Sequence, residues 1–235
     1  MKNLRLKKSK TAETMKKVRW PLGCLLFLLG LAACSAEGNA DVNVTETSPK
    51  ETARINRAWR TVGELKHHIR SGDLVTRTGN DFTSESLRNL NRRNTKYSHC
   101  GIAIVENDTV FVYHALGGEF NPDQKIKRDR WEEFAEPYSN RGVGIFRFRP
   151  HMVSLPTLKE VIRSFIAQGV TFDMDFDLAT ENKMYCAEFV AKSFRAGSAD
   201  SLTFPVSRIR DFEFFGVDDL FLHPACDSIT AAVYK

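Results

Sequence analysis

The sequence predicts an α+β fold, with helices packed on a small antiparallel sheet. Three patterns carry that reading. Apolar residues recur three and four apart in several stretches, two β-rich runs are joined by four polar residues, and Gly- and Asp-rich breaks separate the segments.

The first ordered stretch, 52–69, places Ile55, Trp59, Val62, Leu65 and Ile69 on one helical face. SGD breaks this helix and LVTR begins a short strand. In DFTSESLRNLNR, Thr83 or Ser84 can cap a helix that carries Leu87 and Leu90. HCGIAIV and VFVYHA, linked by ENDT, form two strands whose short connection forces antiparallel pairing. VGIFRFR is a further strand, and the alternation of Ile145, Arg147 and Arg149 with Phe146 and Phe148 predicts one buried face. Leu158, Val161, Ile162, Phe165 and Ile166 make a helical stripe that Gly169 closes. MYCAEFVAKSFRAG is a helix beginning around Lys183, with Asn182 as its cap and Gly197 as its terminator. The tail, 198–235, reads as aromatic and irregular, with one weak helical patch at 209–215.

The net charge of +5 would suit a nucleic acid or an anionic membrane if it were spread over the fold. It is not. Eight of the 34 Lys/Arg and one of the 29 acids stand in residues 1–33, which leaves 26 against 28, a net of −2, for the rest. No nucleic-acid partner is therefore expected. The N-terminal piece has a basic start, MKKVRW from Met15, and an apolar core, PLGCLLFLLGLAA, too short to cross a bilayer as a stable helix. That is the pattern of an export signal over 1–33. It ends in LAAC, which resembles the lipobox of bacterial lipoproteins and implies cleavage before Cys34 and acylation of that cysteine. Residues 34–51 are mostly small and polar, the composition of a flexible tether, and 52–235 has the length of one domain. The expected location is the bacterial cell envelope, with the chain lipid-anchored on the periplasmic face of the outer membrane and monomeric.

Beyond Cys34 the chain has Cys100, Cys186 and Cys226, an odd number that leaves at least one free thiol in an oxidising compartment. His99 and Cys100 are adjacent, yet successive strand residues point to opposite faces, so the two are not expected to pair. Cys100 is expected to be a small buried residue turned away from the chemistry. Cys186 falls near the first turn of a helix, where free N–H groups and the helix dipole lower a thiol's pKa and can also hold an oxyanion. His99 is the available base, and His114, on the returning strand, can sit beside it as the group that orients it.

Taken together, SGDLVTR, SHCGIAI, VFVYHA and MYCAEFV resemble the permuted papain-like enzymes of the YaeF/YiiX group, within the NlpC-like superfamily, whose permuted relatives include the lecithin:retinol acyltransferases. The resemblance spans roughly 72–197. It implies a circularly permuted papain-like fold in which the histidine strand precedes the cysteine helix. By position, Cys186 matches the nucleophile, His99 the base and His114 the third polar residue, where many members carry glutamate. Glu188 and Asp73 match acids of the family's cysteine motif and GD turn, and with Tyr185 they are expected to support the site. The activity implied is a cysteine hydrolase cleaving a cell-wall peptide amide or a lipid acyl bond. An acyltransferase or thioesterase, and a non-catalytic envelope lipoprotein using the fold as a binding module, are the alternatives. A pocket lined by the tail's phenylalanines would favour an acyl substrate; an open polar groove would favour a peptide. No cofactor is implied. Asp173, Asp175 and Asp177 lack the glycine and glutamate of a calcium loop, since Leu178 and Met184 stand in those places, and the chain has no CxxC or HExxH spacing for zinc.

Overall fold

The structure, a computed structural model, describes residues 48–118 and 120–235. The export segment, Cys34 and the tether up to residue 47 lie outside the described residues. The Ser48 hydroxyl accepts the Glu51 N–H (3.2 Å) and Pro49 supplies the preset φ of a first turn. Helix α1 (Pro49–Lys66) therefore starts three residues earlier than Thr52, and it stops short of Ile69.

Strand β1 (Asp73–Gly79) leads to α2 (Phe82–Arg88), capped by Asp81 rather than by Thr83 or Ser84; the Asp81 carboxylate accepts the Ser84 N–H at 2.9 Å. Strands β2 (His99–Glu106) and β3 (Thr109–His114) form the expected hairpin. Its tip is Asn107-Asp108, both at positive φ (47° and 61°), the backbone that matches the twist of a two-residue hairpin. Then come β4 (Lys127–Arg130), α3 (Trp131–Phe134), β5 (Asn140–Phe148) and α4 (Leu155–Ala167), which Gly169 ends at φ +71°. A parallel pair, β6 (Thr171–Phe172) and β7 (Lys183–Met184), precedes α5 (Cys186–Gly197). The tail is more regular than its composition suggests. It forms the hairpin β8 (Ser207–Ile209) and β9 (Phe212–Phe214), helix α6 (Val217–Phe221), and β10 (Cys226–Val233).

The main sheet is six-stranded, in the order β10-β5-β1-β2-β3-β4, with every neighbouring pair antiparallel. Strand alternation sorts its side chains into two cores. Leu74, Cys100, Ile102, Phe146 and Phe148 pack against α4, α5 and α6 through Leu158, Phe189, Phe194 and Leu220. Val75, Ala103, Val112, Val143 and Ile145 pack against α1 and α3 through Val62, Leu65, Trp131 and Phe134. So the sheet has helices on both faces. Strand β5 is buried on both, not on one as its alternation suggests, and Arg147 is accommodated by its ion pair with Asp73 (2.6 Å). The described residues all belong to one compact unit.

Candidate active site

Helix α5 begins at Cys186, later than Lys183, because Tyr185 is extended (φ −87°, ψ 174°) and its N–H turns back to the Glu188 carboxylate at 3.4 Å. Cys186 thus occupies the first helical position and is buried. Its sulfur meets the Cys100 thiol and the backbone N–H groups of Cys100 and Ala187. The Cys100 hydrogen bond is the main cause holding the Cys186 thiol below its ordinary pKa; burial opposes it, and the N–H groups and the Arg77 cation add to it. Burial pushes Cys100 itself well up.

This corrects the expectation for Cys100. His99 and Cys100 do leave β2 on opposite faces, but the face Cys100 takes is the one on which α5 packs. The residue expected to turn away is the one bonded to Cys186. Cys100, Cys186 and Cys226 are all free thiols.

His99 sits at the start of β2 and His114 at the end of β3, side by side across the hairpin. His99 Nε2 lies 2.8 Å from His114 Nδ1, and His114 Nε2 lies 3.0 Å from Asp129 Oδ2. Gly101 permits the close approach: a Cβ there would meet Tyr113 O at 2.8 Å and His114 Cβ at 3.0 Å. Asp129 also pairs with Lys127 (2.9 Å); despite partial burial, its bonds to His114 and Lys127 bring its carboxyl down to about 2. Burial holds His114 at about 4 and His99 well below its usual value, so both rings are neutral near pH 7. The protons then follow from the network. An ionised carboxylate only accepts, so His114 carries its hydrogen on Nε2 and accepts at Nδ1. His99 therefore donates from Nε2, and its Nδ1 keeps a lone pair.

His99, Tyr185 and Cys186 line one narrow cleft with about 50 Å³ of free space. The rest of the lining is mostly apolar: Leu87 of α2, Leu90 just beyond it, Leu116, Phe172, Phe176, Phe214, Phe215 and Val217. The Tyr185 hydroxyl accepts the Phe215 N–H at 2.6 Å and so fastens the tail to the cleft. A groove of about 340 Å³ elsewhere, lined by Glu106, Tyr113, Lys159 and Arg163, has no thiol in its wall.

The two remaining sequence candidates lie outside the cleft lining. Glu188 is buried and bonds Lys192 (2.7 Å) besides the Tyr185 N–H; burial raises its carboxyl to about 7. Asp73 lies four residues along β1 from Arg77, the residue that pairs with His99, and accepts the Arg70 N–H (2.8 Å) and both arms of Arg147.

Sequence reasoning missed two contributors, Asp129 and Arg77. Asp129 sits in KRDR, a charged run without apolar periodicity, and reaches His114 only because β4 pairs with β3. Arg77 bonds the Phe134 carbonyl (3.1 Å), lies over the Phe134 ring and disfavours protonation of His99. Asp173 is fully buried and accepts the N–H groups of Asp175 (2.9 Å) and Asp177 (2.7 Å). It thereby shapes the loop that holds Phe176 at φ +56°, against Tyr185 and in the cleft.

No family model matches the chain, and no curated relative does. Solved structures do match in fold. One is the crystal structure of metalloprotein YiiX from Escherichia coli O157:H7, at 14% identity, covering 72% of this chain and 98% of that one with a TM-score of 0.55. The chain has a YiiX-like fold.

Proposed function

We propose that this protein is a cysteine hydrolase of circularly permuted papain-like architecture, acting on an ester or amide whose acyl group is apolar. The observation that carries the reading is the cleft itself: an acidified thiol at a helix N-terminus shares it with a neutral imidazole whose second nitrogen is fixed by His114 and Asp129. Cys186 Sγ attacks the carbonyl carbon and its proton passes to His99 Nδ1. The charge on the carbonyl oxygen is taken by N–H groups of the first turn of α5. His99 returns the proton to the leaving oxygen or nitrogen, which departs and leaves a thioester. Water then loses a proton to His99, attacks the thioester, and releases the acid and Cys186.

The eight large apolar side chains lining the cleft favour an apolar acyl group over a polar cell-wall peptide. The solved YiiX is described as a metalloprotein. Among the described residues no group of three or more His, Cys, Asp or Glu is arranged to hold a metal ion, and His99, His114 and Asp129 are bonded to one another, so no step is routed through one. The protein's place in this proposal is the cell envelope, anchored through Cys34.

Hydrolysis of p-nitrophenyl esters from acetate to octanoate, beside a cell-wall peptide amide, tests the reading. Ester turnover should exceed amide turnover, and Cys186→Ala should reduce it at least about a thousandfold. An undiminished rate in Cys186→Ala would remove the proposal.

A further inference from the structure

Four of the chain segments that line the cleft also expose an apolar side chain near their cleft residues. Phe82, 86% exposed, opens the helix that supplies Leu87. Phe120, 99% exposed, follows Leu116 and Gly117. Met174 lies exposed between Phe172 and Phe176, and the exposed Phe212 stacks on Phe214 at 5.2 Å. Single exposed apolar residues are ordinary, but these four stand in segments that line one apolar cleft.

The cleft's size says what these side chains meet. Its 50 Å³ holds about two waters' worth of volume, enough for the carbonyl end of an acyl group but not for a chain. The rest of the chain must lie over the rim, in an apolar phase continuous with the cleft. The rim segments carry both signs of charge, with exposed Arg92 and Lys96 against Asp123 and Asp175, so headgroup attraction is not the main force. The LAAC resemblance implies a lipid anchor on Cys34, and the thirteen residues between that cysteine and Ser48, fourteen Cα–Cα steps, span at most ~50 Å. A bilayer is the apolar phase within that reach.

We infer that this rim is a membrane-docking surface: Phe82, Phe120, Met174 and Phe212 enter the interfacial zone of a phospholipid bilayer and bring the cleft mouth to an acyl chain held there. The choice of substrate source rests on the hydrolase reading; the docking itself does not.

The test uses the Cys34-acylated chain from residue 34 on, reconstituted in phosphatidylcholine vesicles, with and without bromine on the acyl chains. Single Phe82→Trp, Phe120→Trp and Tyr138→Trp variants are compared with the parent, so that the signals of Trp59 and Trp131 subtract. Tyr138 is an exposed aromatic that packs against Trp59 and is absent from the cleft. The added fluorescence at 82 and 120 should fall about twofold or more in brominated vesicles, equally in 0.5 M salt, while that at 138 stays unquenched. Equal brightness in both vesicles at 82 and 120, as expected if an apolar protein segment covers the rim instead, overturns the inference. Quenching at 138 as strong as at 82 and 120 overturns it too. Quenching in the Cys186→Ala background should be unchanged, so failure of the hydrolase reading and failure of docking appear in separate measurements.

Discussion

Replacing Cys100 by alanine removes the thiol that bonds the Cys186 sulfur but leaves the Cys100 and Ala187 N–H groups in place. A hydrogen bond to a charged acceptor contributes about 1.5–3 kcal/mol, and S–H is a weak donor, so the low end applies. About 1.4 kcal/mol is a tenfold change in the thiol–thiolate equilibrium. The same substitution leaves a small void between β2 and α5, where Cys100 is fully buried, at a cost of about 1 kcal/mol and a few degrees in Tm. The assay is the rate of iodoacetamide alkylation at Cys186, read by peptide mass spectrometry from pH 4 to 9. On the acid limb Cys100→Ala should react about tenfold more slowly than the parent, and Cys100→Ser, which keeps a donor, should recover most of the loss. Superimposable pH profiles for parent and Cys100→Ala would show that the second cysteine does not tune the first.

Asp129→Asn lets an amide N–H face His114 Nε2, which reverses the proton order and puts a hydrogen on His99 Nδ1; kcat should fall about a hundredfold or more with KM nearly constant, and an unchanged kcat would dissolve the relay. For stability against pH, His114 is held at about 4 when folded against about 6.5 when unfolded, so the unfolded chain takes up the proton first as pH falls. Its contribution, about 3 kcal/mol, is complete above pH ~6.5 and lost progressively down to pH ~4; urea titrations at pH 7 and 4 should show it, and a flat profile would contradict it. Asp73→Ala strands the Arg147 cation, whose side chain is 19% exposed, and should lower stability by about 3 kcal/mol while Cys186 alkylation keeps its pH profile. A changed profile would tie Asp73 to the site after all.

The positions of Cys186, His99 and His114 were legible because each depends on a local rule: a thiol at a helix start, and two histidines on strands joined by a tight turn. Asp129 was not, since its place depends on β4 pairing with β3, a long-range event that KRDR does not announce. Cys100 shows a subtler limit. Period-two alternation separates it from His99, but nothing local says on which face α5 will pack. The tail hides β10 for a related reason: CDSITAAV has few large apolar residues, and the strand is held by its ladder to β5. The α+β class was readable throughout, because the amphipathic helices and the hairpin write their periods directly into the chain.

Cys186 as the attacking atom is the claim on which the rest depends, and the mass of the protein quenched during turnover of an apolar ester reads it directly. An acyl adduct should appear on the peptide containing Cys186, persist in Cys100→Ala and vanish in Cys186→Ala. No adduct, or an adduct on Cys100 or elsewhere, would contradict the account.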